Sequence, residues 1–270
     1  INNNRVVVGQ YFGHDPVNGG WYNHGFYYYP GIWMSQIDSD GYGLGYPWIV
    51  IPHAINNLDY IVGGGYVHPM QGNSHPPDTT GVCYTDWLPL FWNGAGQHPF
   101  ALNCYPDPDN NGTGYLGMIP AAMDINDSNW VVGADGGNSA YGMFLRKGVQ
   151  AAQNTPVPRP AGSSSGLYGV ALGINNPGHV VGVYGYQPNG VASSTFDAFF
   201  WDGSSYLSTK IGVLQGGTWS IAYDINDQDM VVGVSNRDYP LSGAGNSAFI
   251  WHADFGMFRL PAPGEYFPFL

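Results

Sequence analysis

The pattern Ile-Asn-(Asn/Asp), followed by Val-Gly, occurs five times in this chain, always in the same register. Ile1-Asn2-Asn3 leads to Val8-Gly9, and Ile55-Asn56-Asn57 to Val62-Gly63. Ile125-Asn126-Asp127 leads to Val132-Gly133, Ile174-Asn175-Asn176 to Val181-Gly182, and Ile225-Asn226-Asp227 to Val232-Gly233. In each copy the glycine lies eight residues after the isoleucine. A period of about 50 residues restricts the fold to a solenoid, a propeller or an array of stacked units.

Each copy is legible as a hairpin. Asn and Asp after the isoleucine bond their own backbone two residues on and tolerate left-handed dihedrals, so they open a turn. The following valines favour a packed, pleated strand. The closing glycine signals a bulge or a close backbone approach. The repeated asparagines, Asn2, Asn56, Asn126, Asn175 and Asn226, are therefore expected to be structural.

A second signature follows each hairpin: a small residue or proline, one or two apolar residues, and usually tryptophan. Ala248-Phe249-Ile250-Trp251 and Ala198-Phe199-Phe200-Trp201 carry it in full. Pro89-Leu90-Phe91-Trp92 and Pro30-Gly31-Ile32-Trp33 are looser, and Gly142-Met143-Phe144-Leu145 lacks the tryptophan. A polar turn and another apolar run come next. Each repeat thus supplies about four short strands, the content of one propeller blade. The expected fold is all-β: a five-bladed propeller of four-stranded antiparallel blades. Approximate blades are 1–51, 52–118, 119–167, 168–215 and 216–260, in one domain spanning 1–270. The apolar tail 261–270 stands where the lead into a sixth repeat would fall, and is expected to pair within the first blade and close the ring. An open sheet edge invites aggregation, which gives closure a physical motive.

The phrase Ala222-Tyr223-Asp224-Ile225-Asn226-Asp227 with Val231-Val232-Gly233, then Ala248-Phe249-Ile250-Trp251, resembles the HAF-type extracellular repeat of bacterial secreted proteins. Gly216-Gly217-Thr218-Trp219-Ser220 fits the same pattern. The resemblance covers essentially the whole chain and is strongest from about residue 168. It implies an exported repeat protein and names no catalytic residues. Ile1 opens a repeat, so an export signal is expected to have been removed or left out.

Composition narrows the function classes. The formal net charge is −12, with 7 Lys and Arg in all, so the basic footprint of a nucleic-acid binder is missing. Anionic membrane surfaces are excluded on the same ground, and no apolar run is long enough to span a bilayer. Glutamate occurs once, at Glu265, and strong helix formers are scarce. The two cysteines, Cys83 and Cys104, both fall in the second repeat and its insertion. A disulfide between them would staple that loop and contribute on the order of 3 kcal/mol; two buried thiols are the alternative.

The first two repeats depart most from the pattern, and candidate sites concentrate there. Asp107-Pro108-Asp109-Asn110-Asn111-Gly112 matches the opening of a calcium loop, with oxygen ligands at Asp107, Asp109 and Asn111. Met118 stands where an EF-hand has glutamate, so a solvated turn competes with that reading. Asp38-Ser39-Asp40-Gly41 is a weaker echo. His14, His24, His68 and His75, with Asp15 and Asp78, suit a transition metal by chemistry but not by any recognised spacing.

The segment from Tyr11 to Tyr29 reads as a loop crowded with aromatics. Trp33, Trp92, Trp201 and Trp251 recur at equivalent positions and belong to the core, whereas Trp21, Tyr22, Tyr27, Tyr28 and Trp87 have no repeat equivalents. Exposed aromatics beside hydrogen-bonding groups make sugar-stacking surfaces. The expected working surface is Trp21, Tyr22, Tyr27, His68, His75 and Trp87, on a non-catalytic, secreted binder of an extracellular glycan or surface polymer. An extracellular glycan hydrolase or lyase, using aspartates across a cleft, is one alternative. A structural or self-assembling surface protein, with a homo-oligomeric partner, is the other. No nucleophile elbow occurs, and no catalytic residue is nominated.

Overall fold

The computed structural model describes residues 1–14, 21–31, 34–37, 50–66, 87–94, 99–102, 121–135, 142–148, 154–164, 166–186, 192–237 and 245–261. These residues form five antiparallel sheets and no helix. Sheet one is β1 (Val7–His14), β2 (Trp21–Tyr28) and β3 (Ser35–Gln36). Sheet two is β4 (Val50–Ile55), β5 (Ile61–Tyr66), β6 (Trp87–Trp92) and β7 (Pro99–Ala101). Sheet three is β8 (Ala121–Ile125), β9 (Trp130–Ala134), β10 (Met143–Lys147) and β11 (Thr155–Pro156). Sheet four is β12 (Tyr168–Ile174), β13 (Val180–Tyr186), β14 (Ala192–Trp201) and β15 (Thr209–Lys210). Sheet five is β16 (Ser220–Ile225), β17 (Val231–Arg237), β18 (Gly245–His252) and β19 (Gly256–Arg259).

Sheets two to five have the four-strand meander expected of a blade. Sheet one has three strands among the described residues. Its β1 follows the Ile1-Asn2-Asn3 turn, so β1 is the counterpart of the second strands β5, β9, β13 and β17.

One stretch expected to be a loop, and one rich in Pro, Ala and Ser, carry strands. The stretch 11–29 folds mainly as the β1–β2 hairpin, with Val7 opposite Tyr28 and His14 opposite Trp21. Tyr11 faces and stacks on His24 across the two strands, the kind of cross-strand pair that stabilises a sheet. Within the Pro/Ala/Ser-rich stretch 151–165, Thr155 and Pro156 form the edge strand of sheet three, and Val157 is fully buried.

The sheets stack in chain order, back of one on front of the next. Val62 and Phe91 of sheet two pack with Ala122, Ile125, Val131 and Phe144 of sheet three. Val132 and Leu145 of sheet three pack with Ile174, Phe199 and Trp201 of sheet four. Val181 and Ala198 of sheet four pack with Ile225, Phe249 and Trp251 of sheet five. Burying each such side chain contributes about 1.5–3 kcal/mol, so these seams hold the array together.

The recurrent glycine is what lets the first two strands of a unit approach. A Cβ on Gly63, Gly133, Gly182 or Gly233 would collide with the carbonyl oxygen of Ile51, Ala121, Val170 or Ile221 respectively. Beside that contact every first strand carries a register shift, which leaves His53, Met123, Leu172 and Tyr223 as bulged residues.

The repeated asparagine ties successive sheets together. The Oδ1 of Asn126 accepts Ser128 N–H and Trp130 N–H in its own turn, at 3.0 and 2.9 Å. Its Nδ2 donates to the backbone carbonyl of Asn175 in the next sheet, at 2.9 Å. The same inter-sheet bond runs from Asn2 to Asn56 (2.9 Å), from Asn56 to Asn126 (3.0 Å) and from Asn175 to Asn226 (3.0 Å). Only an amide does both: aspartate could accept in the turn but could not donate. The turns also need left-handed backbone, with Arg5, Asp59, Asn129 and Asp229 at φ near 60° and glycine at the matching Gly178. The asparagines are structural, as their place at each hairpin entrance suggested.

Candidate functional site

The asparagine turns lie at one end of the sheets. The β1–β2 and β5–β6 connections leave from the opposite end. Trp21 stands opposite His14 at the start of β2, and Trp87 stands opposite Tyr66 at the start of β6. These are equivalent strands of neighbouring sheets. The backbone therefore sets the two tryptophans at the same end of the array, within two register positions of each other. Tyr22 follows Trp21 and pairs with Gly13. His68 and His75 belong to the insertion that joins Tyr66 to Trp87, outside the described residues.

Tyr27 and Tyr28, expected to lack repeat equivalents, have them: they face Val8 and Val7, where the other sheets set Phe91 and Trp92, Phe200 and Trp201, or Ile250 and Trp251. Tyr28, not Trp33, thus takes the recurrent tryptophan position, and Trp33 lies outside the described residues. Tyr27 is half-buried against the core shared by sheets one and two, with its ring edge-on to Tyr29 at 6.0 Å. Asp107, Asp109, Asn111, Cys83 and Cys104 lie outside the described residues.

Sheet one carries a polar aromatic cluster that the sequence did not single out as a unit. Tyr11 and His24 face each other across β1 and β2 and their rings stack at 5.2 Å. The Gln36 amide reaches His24 Nδ1 at 3.3 Å and accepts from the Tyr11 hydroxyl at 3.4 Å. His24 is buried while Gln36 is exposed. His14 lies three residues from Tyr11, so strand alternation puts His14 and His24 on opposite faces of the sheet. These two histidines cannot share one metal ion. Among the described residues no group of three or more His, Cys, Asp or Glu comes together.

The first strands carry a second polar group. Asp124 on β8 accepts the backbone N–H of Ile125 in its own sheet and of Ile174 in the next, each at 2.8 Å. Its side chain keeps partial solvent contact. Loss of hydration among the packed strand ends pushes its carboxyl up to about 7, against the pull of those two N–H groups. The Asp224 carboxylate raises it further. Asp224 makes the matching bond to Ile225 N–H at 2.8 Å. On β4, His53 Nδ1 lies 2.9 Å from the carbonyl of Ala122, and burial holds its pKa below the ordinary value. The sequence offered one signal for this group: aspartate directly before the isoleucine in copies three and five, where copies two and four have Ala54 and Gly173.

No family model matches the chain, and no curated protein matches it.

Proposed function

We propose that this chain is a secreted, non-catalytic binding protein of the HAF-repeat type. Its five sheets close into a propeller ring, and the aromatic surface of the first two repeats recognises an extracellular glycan. One observation carries the binding surface: Trp21 and Trp87, which no other repeat matches, sit at the same end of equivalent strands in adjacent sheets. Functional residues concentrate on connections held by a rigid scaffold. Here the scaffold is the asparagine-linked stack, and the insertion with His68 and His75 emerges beside Trp87. Tyr22 adjoins Trp21 on β2, and Tyr27 anchors that strand to the core.

One observation supports ring closure: Ile1 of sheet one and Val232 of sheet five are exposed where their counterparts in the inner sheets are buried, so each end of the array offers an apolar face to the other. A calcium ion on Asp107, Asp109 and Asn111 and a Cys83–Cys104 bridge would stiffen the second repeat. Calcium should raise the Tm of chelator-treated protein, and Asp109→Ala should remove that gain. Thiol titration of the unreduced protein should find no free cysteine.

A glycan-array screen tests the function directly. Losing one stacking platform costs roughly 1–3 kcal/mol where aromatic rings carry binding. Trp21→Ala and Trp87→Ala should each weaken the best hit tenfold or more at unchanged Tm. Normal binding by both variants, or products released from the bound glycan, would defeat the proposal.

A further inference from the structure

Sheet five holds aromatic rings in solvent that the stacking of sheets does not account for. Phe258 is 55% exposed and Phe255 is 48% exposed. Phe258 lies on β19, opposite Ile250, and Phe255 lies in the tight β18–β19 turn that His252 and Gly256 close. The place opposite the third strand is held by Thr209 in sheet four and Thr155 in sheet three. Sheet one has Ser35 there and sheet two has Phe100. Thr209 and Thr155 are both exposed, although the next sheet packs on that side of sheets three and four. The position therefore lies outside the seam. A sheet stacked on sheet five would leave Phe258 in water.

The rings form one cluster. His252 and Phe255 stack at 4.9 Å with 21° between their planes, and Phe258 follows at 5.9 Å and 45°. His252 Nδ1 accepts Asp254 N–H at 3.2 Å, which ties the turn to the end of β18. A short turn and a paired strand thus hold the rings, so part of their ordering cost is met before a ligand arrives.

Their surroundings are anionic. The Asp254 side chain is 87% exposed in the same turn. His252 Nδ1 lies 3.7 Å from that carboxylate, but as an acceptor of Asp254 N–H it carries no proton to offer. Exposed Asp227 lies at this end of sheet five, because Trp251 stands opposite Val231, the first strand residue after the Asn226 turn. The equivalent connection of sheet four carries Asp202 and Tyr206, the latter 92% exposed. Bonds from the Ser205 hydroxyl and from Ser205 and Ser204 N–H hold the Asp202 carboxyl well below the usual carboxylate range, so it stays charged.

Aromatic faces accept the C–H faces of sugar rings. The same faces attract ammonium groups, and nearby carboxylates add an attraction that salt screens. We propose that His252, Phe255 and Phe258 form a second site, at the opposite end of the array from Trp21 and Trp87, for a cationic amino-sugar glycan. The rings stack on the sugar faces, Asp254 takes an ammonium group, and Tyr206 flanks the site. A neutral glycan would leave Asp254 unused, and a basic peptide would leave the ring faces without sugar to stack on.

The test uses the whole chain carrying Trp21→Ala and Trp87→Ala, so that only this face reports. In calorimetric titration a glucosamine hexasaccharide should bind and should weaken as salt is added. It should exceed its N-acetylated counterpart about fivefold or more. Phe258→Thr, the residue type that sheets three and four use there, should weaken binding about five- to tenfold at unchanged Tm. Asp254→Asn should flatten the salt dependence. No binding in this background, or unchanged binding by Phe258→Thr, would overturn the second site and leave the reading of Trp21 and Trp87 standing. Equal affinity for the N-acetylated sugar or for an oligolysine peptide would also overturn it, in favour of a neutral glycan or a basic protein. Hexasaccharide binding here, with glycan-array hits untouched by Trp21→Ala and Trp87→Ala, would sustain this site and defeat the first.

Discussion

Asp124 should make the molecule less stable as pH rises through neutrality, and Asp124→Asn should remove most of that dependence. An aspartate whose folded-state pKa exceeds its unfolded value holds its proton more tightly in the native state. The native advantage is complete below the unfolded value of 3.8 and is lost as pH rises towards the folded value of about 7. Multiplying that interval by 1.36 kcal/mol per pKa unit gives about 4 kcal/mol. The side chain retains some solvent, which reduces the figure to about 2–4 kcal/mol. His53 works in the opposite sense: its lowered pKa costs stability as pH falls below 6.5. Total stability therefore mixes both groups, and the difference between the two proteins isolates Asp124.

The assay is urea unfolding followed by the fluorescence of the 9 tryptophans, at intervals from pH 4.5 to about 8.5. Asparagine keeps one carbonyl oxygen, so it retains one of the two N–H contacts and forfeits the other. That places a constant penalty of about 1–3 kcal/mol on the variant. Above pH 7 the penalty is offset by the absent charge, and the curves converge or cross. Two parallel stability–pH curves, separated by the same amount at pH 5 and pH 8.5, would show that the Asp124 carboxyl is not destabilised in the fold. The cause assigned to its shift would then be wrong.

Substitutions at two further positions probe the packing, Asn126 between sheets and Gly133 within one. Asn126→Ala removes two turn acceptor contacts and the bond to Asn175, all at a buried position, and should cost about 2–4 kcal/mol in urea unfolding. Asn126→Asp should be nearly as damaging despite its similar shape, because it cannot donate. Gly133→Ala drives a methyl group into the Ala121 carbonyl and should cost more than 2 kcal/mol, about the level of a strained core insertion. A loss below 0.5 kcal/mol in either case, within the usual range of a surface change, would contradict the packing described.

The repeat was legible because its constraints are local. Gly63, Gly133, Gly182 and Gly233 announce a close approach of two strands a few residues apart, and the Asn turns announce where the chain reverses. What the asparagine amide does at a distance was not legible. Nothing in Asn126 itself says that its Nδ2 reaches Asn175, a full repeat away. The aromatic segment 11–29 looked like a loop because its crowded tyrosines, histidines and glycines hide any alternation of apolar and polar residues. Pairing of Tyr11 with His24 still makes a regular ladder. Asp124 was obscured for the opposite reason: it lies inside a motif whose other members are structural. Its second N–H partner, Ile174, comes from the next sheet, a full repeat away. In a repeat fold, residues shared by every copy encode contacts between adjacent units. Residues that break the pattern, such as Trp21 and Trp87, take their meaning from the positions that stacking brings side by side.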